Sequence, residues 1–117
     1  MKEERISQRV GIELPAMFCF QELPNSWISA DVINISTHGF CFRTKAKYTS
    51  MLEEKPVIQL GFALTTEESV ALQIQVVWAG KTSDIHCLAG GEILNPSGSD
   101  YQKILEFYTK TFRDRSK

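Results

Sequence analysis

Val70-Ala-Leu-Gln-Ile-Gln-Val-Val-Trp78 is the plainest structural statement in the chain. Val70, Leu72, Ile74, Val76 and Trp78 fall on one face at period two, and Ala71, Gln73, Gln75 and Val77 fall on the other. That alternation is the mark of a strand with one buried face. Its neighbours repeat the pattern. Upstream, Pro56–Leu64 sets Ile58, Leu60, Phe62 and Leu64 inward, and Thr65–Glu68 makes the turn between the two. Downstream, Lys81–Asp84 is a second turn, and Ile85–Leu94 is a further strand in which Gly90-Gly91 marks a bulge, a bend or a close backbone approach.

Further out, Ile12, Leu14, Ala16, Phe18 and Phe20 share a face of a first strand, with Glu13 and Pro15 opposite. Gln21–Ser26 is a hairpin loop built on Pro24-Asn25. The second strand runs from Trp27 to Ile35, and a short third covers Phe40–Arg43. Thr44–Lys55 is polar, with a helical turn at Ser50–Glu54. After Asn95-Pro96 the period lengthens. Ser99 is placed to cap a helix with Gln102 as its capping-box partner. Tyr101, Ile104, Leu105, Tyr108 and Phe112 form its apolar stripe, which the spacing lays over a mouth or side of the sheet. Six short strands on tight turns predict a mainly β, antiparallel sheet that closes on itself, followed by a C-terminal α-helix.

Composition narrows the function. A chain of 117 residues is one domain with its own core. Its formal charge of −1 provides no basic field of the kind that DNA or RNA binding needs. A small barrel binding single-stranded nucleic acid is the weaker alternative for that reason. The start, Met1-Lys-Glu-Glu-Arg, has no apolar signal core, and no run is long enough to insert in a membrane. Cys19, Cys41 and Cys87 are scattered through apolar runs, which suits buried free thiols in a reducing cytoplasm. A zinc site can be drawn with His38, Cys41, His86 and Cys87, but no C-x-x-C pair supports it. There is no G-x-S-x-G elbow and no phosphate loop, so catalytic residues and cofactors are expected to be absent.

Two short stretches carry the functional signal. Asn34-Ile-Ser-Thr-His-Gly39 joins two apolar runs. Period two predicts that Asn34 and Ser36 project together at a strand end, with Gly39 supplying φ > 0 at the turn. Taken alone it reads as an ordinary turn. Arg5-Ile-Ser-Gln-Arg9 places two guanidinium forks four residues apart on a polar arm, suited to an anion that also carries a planar base.

In this order the two stretches resemble the PilZ domain, a bacterial receptor for cyclic di-GMP whose motifs are R-x-x-x-R and [D/N]-x-S-x-x-G. The resemblance continues through Gly39-Phe-Cys-Phe-Arg-Thr44, Val76-Val-Trp78 and Gly90-Gly-Glu-Ile93 into the final helix. Asn34 stands where many members have Asp. The resemblance implies a six-stranded PilZ-like β-barrel over residues 12–113 behind a flexible arm of residues 1–11. It implies a receptor, not an enzyme. Arg5 and Arg9 would bind phosphate and guanine, Asn34 the guanine edge and Ser36 phosphate or base, while Gly39 would leave room. His38 and Trp78 are further candidates; Trp78 is otherwise a core aromatic. Glu3 and Glu4, beside the first arginine, favour one bound ligand over a stacked pair. The expected output is contact with an unidentified protein partner, through an arm that orders when ligand binds. The alternative within the family is an adaptor that works through protein contacts without nucleotide.

Overall fold

The computed structural model describes residues 10–64, 68–94 and 98–115, with side chains described for 13–64, 68–94 and 98–110. Six strands appear in chain order: β1 (Val10–Phe20), β2 (Ile28–Ile35), β3 (Gly39–Lys45), β4 (Val57–Ala63), β5 (Ser69–Lys81) and β6 (His86–Ile93). A 3₁₀ turn (Ala46–Tyr48) and the short helix α1 (Thr49–Glu53) link β3 to β4, and helix α2 (Gly98–Arg115) follows β6. All pairs are antiparallel, and the strands close in the order β1-β2-β3-β6-β5-β4. Closure leaves the barrel without a free sheet edge.

The core fills the barrel. Phe18, Val32, Ile35, Phe40, Phe42, Leu60, Ile74 and Val76 are fully buried. Phe18 packs edge-on against Phe20, and Phe40 against Phe62, with ring centroids 5.6 and 5.3 Å apart. Inward positions of β4 and of β5 as far as Val76 follow the alternation read from the sequence. α2 closes the assembly by burying Ile104 and Tyr108, with Tyr101 and Phe107 packed beside them. Burial pushes the Tyr108 phenol above its ordinary pKa.

Four local expectations change. β1 begins at Val10, two residues before the Ile12 start, because Val10 and Gly11 pair with Ile35 and Asn34. An irregularity between Gly11 and Leu14 then breaks the strict alternation of β1. On α2, Phe107 takes the packing place expected of Leu105. Helix α2 starts at Gly98, so Ser99 lies within its first turn and does not cap it. Gly98 has φ of +91°, a value that glycine adopts without a Cβ penalty.

Candidate functional site

The sequence motif Asn34–Gly39 forms the β2–β3 connection. Ser36 N–H donates to the Gly39 carbonyl at 3.0 Å, so Thr37 and His38 form the tip. Ser36 Oγ accepts from His38 N–H at 3.3 Å and lies 3.4 Å from the Gly39 carbonyl as donor. Accepting an amide two residues on is the usual work of a serine in a turn. The residue is only 4 % exposed. β2 ends at Ile35, so the period-two relation with Asn34 stops there and Ser36 turns back into its own loop. Asn34, by contrast, is half-buried and faces outward. His38 is exposed, with Nδ1 3.0 Å from Thr37 Oγ1.

Gly39 is glycine for a different reason from the one expected. Among the described residues Gly98 is the glycine with positive φ; Gly39 is not. A Cβ at Gly39 would overlap the Gly91 carbonyl oxygen and lie 3.1 Å from Gly91 C and 3.2 Å from Glu92 Cα. The requirement is space between β3 and β6, not conformational freedom.

Strand register carries the site across the barrel's outer face. Asn34 pairs with Cys41, Cys41 with Gly90, and Gly90 with Trp78. Residues directly opposite in a ladder share a face. The inward partners, Ile35, Phe40 and Gly91, lie one step along. A register shift between Val76 and Trp78 inserts Val77 as an extra residue in β5. The bulge reverses the alternation, so Trp78 points outward and is 43 % exposed. It is therefore not the core aromatic that strict alternation suggests. The indole lies over Gly90, where a Cβ would overlap its ring. Of the three origins allowed for Gly90-Gly91, close approach is the one found. Gly90 sits beneath Trp78 outside, and a Cβ at Gly91 would run into Ile74 and lie 2.8 Å from the Gln75 carbonyl oxygen inside.

One row further along β3, Arg43 Nη2 donates to Glu13 Oε2 at 2.7 Å and to Asp31 Oδ2 at 3.3 Å. Those hydrogen bonds, to Glu13 first and then Asp31, raise the guanidinium pKa still further, so the cluster carries two engaged carboxylates around one fixed cation. The opposite end of the loop is tied to α2: Tyr101 Oη donates to the Thr37 carbonyl at 3.0 Å. The His38 carbonyl accepts from Ile93 N–H at 2.8 Å. Sequence reading placed Tyr101 in the helix stripe and missed this bond, since nothing in a helical spacing shows where a hydroxyl ends.

Arg5 and Arg9 lie outside the described residues. β1 itself starts beside the motif, with Val10 opposite Ile35 and Gly11 opposite Asn34. The drawn zinc set does not converge. Cys41 stands on the outer face and Cys87 on the inner one, where its Sγ lies 3.6 Å from the Lys45 carbonyl. No group of metal-ligating side chains occurs among the described residues. No helix among them is long and apolar enough to cross a membrane.

The PilZ domain model matches residues 3–110, which is nearly the whole chain. The chain belongs to the PilZ family. No curated protein sequence matches it significantly. Among solved structures it is similar to the Bacillus subtilis inhibitor of motility MotI/DgrA, at TM-score 0.76 and 15 % identity over 95 % of this chain and 52 % of that one. It is similar to K. pneumonia MrkH in its apo state, at TM-score 0.74 and 12 % identity over 99 % of this chain and 54 % of that one. It also resembles the PilZ domain of CeSA from a cellulose-synthesizing bacterium, at TM-score 0.58 and 9 % identity over 93 % and 99 % of the two chains. This PilZ chain thus spans about half the length of MotI and MrkH. At such identities the likeness is one of fold.

Proposed function

We propose that this PilZ chain is a non-enzymatic receptor for cyclic di-GMP in the bacterial cytoplasm that passes the signal to a protein partner. The observation that carries the reading is the register of the outer face. The strand that follows Arg5 and Arg9 in sequence starts beside Asn34, and the same row ends at Trp78 lying over Gly90. Because Arg9 is bonded directly to Val10, a few ångströms of chain bring it to the Asn34–Gly39 loop. From Asn34 to the indole over Gly90 is two strand spacings, roughly 10 Å. A cyclic dinucleotide offers bases and phosphates on that scale.

In this assignment Arg5 and Arg9 hold phosphate and guanine edge by charge-assisted, bidentate bonds. Asn34 meets a base edge, and the exposed indole of Trp78 provides a stacking surface. His38 stands at the loop tip within reach of the same ligand. Ser36 and Gly39 act chiefly by shaping the loop, since one already spends its hydroxyl there and the other is fixed by Gly91. Glu3 and Glu4 beside Arg5 disfavour a second set of phosphates, so one ligand is expected per chain. The buried free thiols Cys19, Cys41 and Cys87 are in keeping with a reducing compartment.

Calorimetric titration with cyclic di-GMP tests the reading. The expected result is one site of roughly micromolar affinity, about −8 kcal/mol, with quenching of Trp78 fluorescence and far weaker binding of GMP. Absence of heat, together with absence of competition at millimolar ligand, rejects it and leaves an adaptor that acts through protein contacts alone.

A further inference from the structure

Glu92 places a carboxylate on the outer face beside the motif loop. It is an exposed residue of β6 on the outer face, paired with Gly39 on one side and Gln75 on the other. Glu is a poor strand former. Its side chain makes no hydrogen bond or ion pair among the described residues, whereas the carboxylates of Glu13 and Asp31 are both committed to Arg43. Gly39 opposite it has no side chain, and over Gly90, two residues back on the same face, lies the Trp78 indole. Gln75 Nε2, its one polar cross-strand neighbour, is taken up by the Lys55 carbonyl at 2.7 Å. With Thr37, His38 and Ile93, Glu92 lines a cavity of about 200 Å³ beside the motif loop.

From this arrangement we infer that Glu92 selects guanine. The inference rests on the receptor reading above. The Trp78 indole over Gly90 is the floor on which a base lies, and Glu92 stands roughly 7 Å further along the same face of β6, within side-chain reach of that base's edge. Guanine presents two adjacent donors there, N1–H and the 2-amino group. An ionised carboxylate is acceptor-only with two oxygens, so it takes both in one bidentate pair. Adenine presents the N1 lone pair and no 2-amino group, and a carboxylate facing it is repelled. The Asn34 amide, two strands away on the outer face, offers a single carbonyl oxygen and no charge, so it does not match this pair of donors equally well. A carboxylate next to a phosphodiester is unfavourable on charge alone. Its place beside the loop is explained by a base edge, not by a phosphate.

The test compares the whole chain with Glu92→Gln and Glu92→Ala, each titrated with cyclic di-GMP, its inosine analogue lacking the 2-amino groups, and cyclic di-AMP. The readout is the ratio of affinities on one sample, which cancels any loss of folded protein. The unaltered chain is expected to favour cyclic di-GMP over both analogues. Each variant is expected to lose roughly 10- to 100-fold toward cyclic di-GMP and little toward cyclic di-AMP, so the ratio collapses. If the unaltered chain binds cyclic di-GMP and both variants keep its ratios, Glu92 is not the selector and the receptor reading stands. If the unaltered chain binds no cyclic dinucleotide, both fall together.

Discussion

Gly39→Ala separates two meanings of a motif glycine. If Gly39 served only to let a ligand approach, alanine would lower affinity and leave the free protein alone. The geometry says otherwise. The new Cβ would overlap the Gly91 carbonyl oxygen and press on Gly91 C and Glu92 Cα, all of them backbone atoms. β6 has nowhere to retreat, because Gly91 and Glu92 are paired with β3 on one side and with Val76 and Gln75 of β5 on the other. Relief has to come from the start of β3. Moving it strains the Ser36 N–H to Gly39 carbonyl bond and the Ile93 N–H to His38 carbonyl bond, at 3.0 and 2.8 Å.

Overpacking of this kind costs about 1–3 kcal/mol, and a weakened backbone hydrogen bond adds about 1 kcal/mol. The smaller unfolded-state entropy of alanine returns about 0.4–1 kcal/mol, since φ at Gly39 is not positive. The net is a loss of about 1–3 kcal/mol, and for a domain of this size the melting midpoint falls by roughly 4–12 °C. Thermal melts followed by circular dichroism, without ligand, measure it. Gly80→Ala is the control: nothing lies within 4 Å of its Cβ position, so the midpoint should hold or rise slightly. A Gly39→Ala midpoint within about 2 °C of the unaltered chain, a shift worth no more than about 0.5 kcal/mol, would refute the steric account.

Ser36→Ala should lower stability as well as ligand affinity, by about 0.5–1.5 kcal/mol, because the lost hydroxyl accepts the His38 amide; a melt unchanged by the substitution would show that bond to be idle. Tyr101→Phe removes only the donor to the Thr37 carbonyl and should speed hydrogen exchange at residues 36–39 with about 0.5–1.5 kcal/mol of stability lost; unchanged exchange would mean α2 does not hold the loop. Arg5→Ala and Arg9→Ala should each weaken cyclic di-GMP binding by about 1–3 kcal/mol without moving the melting midpoint, and calorimetry showing full affinity would remove that arginine from the site.

The barrel was legible because its signal is local and repeated. Ile58 to Leu64 and Val70 to Val76 state their inward face in every second residue, and the structure keeps it. Legibility fails where the cause lies across the sheet. Val76-Val77-Trp78 contains no polar residue to say which side faces water, so the bulge at Val77 that turns Trp78 outward had no local mark. Its reason is Gly90, on the neighbouring strand, whose missing side chain makes room for the indole. Gly39 repeats the lesson. A turn was readable from Asn34–Gly39, but the demand for glycine comes from Gly91, far along the chain. On α2, Leu105 and Phe107 flank the packed stripe on opposite sides, and which of them meets the barrel depends on how the helix is rotated as it docks. Arg5 and Arg9 were legible as chemistry and lie outside the described residues.

The loop between β2 and β3 is held from three sides, and this bears on how a ligand produces a signal there. Ser36 ties it internally, Ile93 ties the His38 carbonyl to β6, and Tyr101 ties the Thr37 carbonyl to α2. The same first turn of α2 is fixed to β5, where Asp100 Oδ2 accepts from Ala71 N–H at 3.1 Å. A loop so restrained has little freedom left to lose, so a ligand meets it as a formed wall and spends little on ordering it. In the proposed receptor the other half of the site is Arg5 and Arg9, in a polar stretch with few apolar residues to bury. Fixing backbone there costs roughly 1–2 kcal/mol per residue, and the charge-assisted contacts have to exceed that sum. On that proposal the cost of ordering falls on the Arg5–Arg9 arm, and the Tyr101 bond is the route by which a change in the loop would reach α2. A partner that binds the arm, and one that reads α2, are then told apart at saturating ligand by Tyr101→Phe, which leaves the first response unchanged and weakens the second.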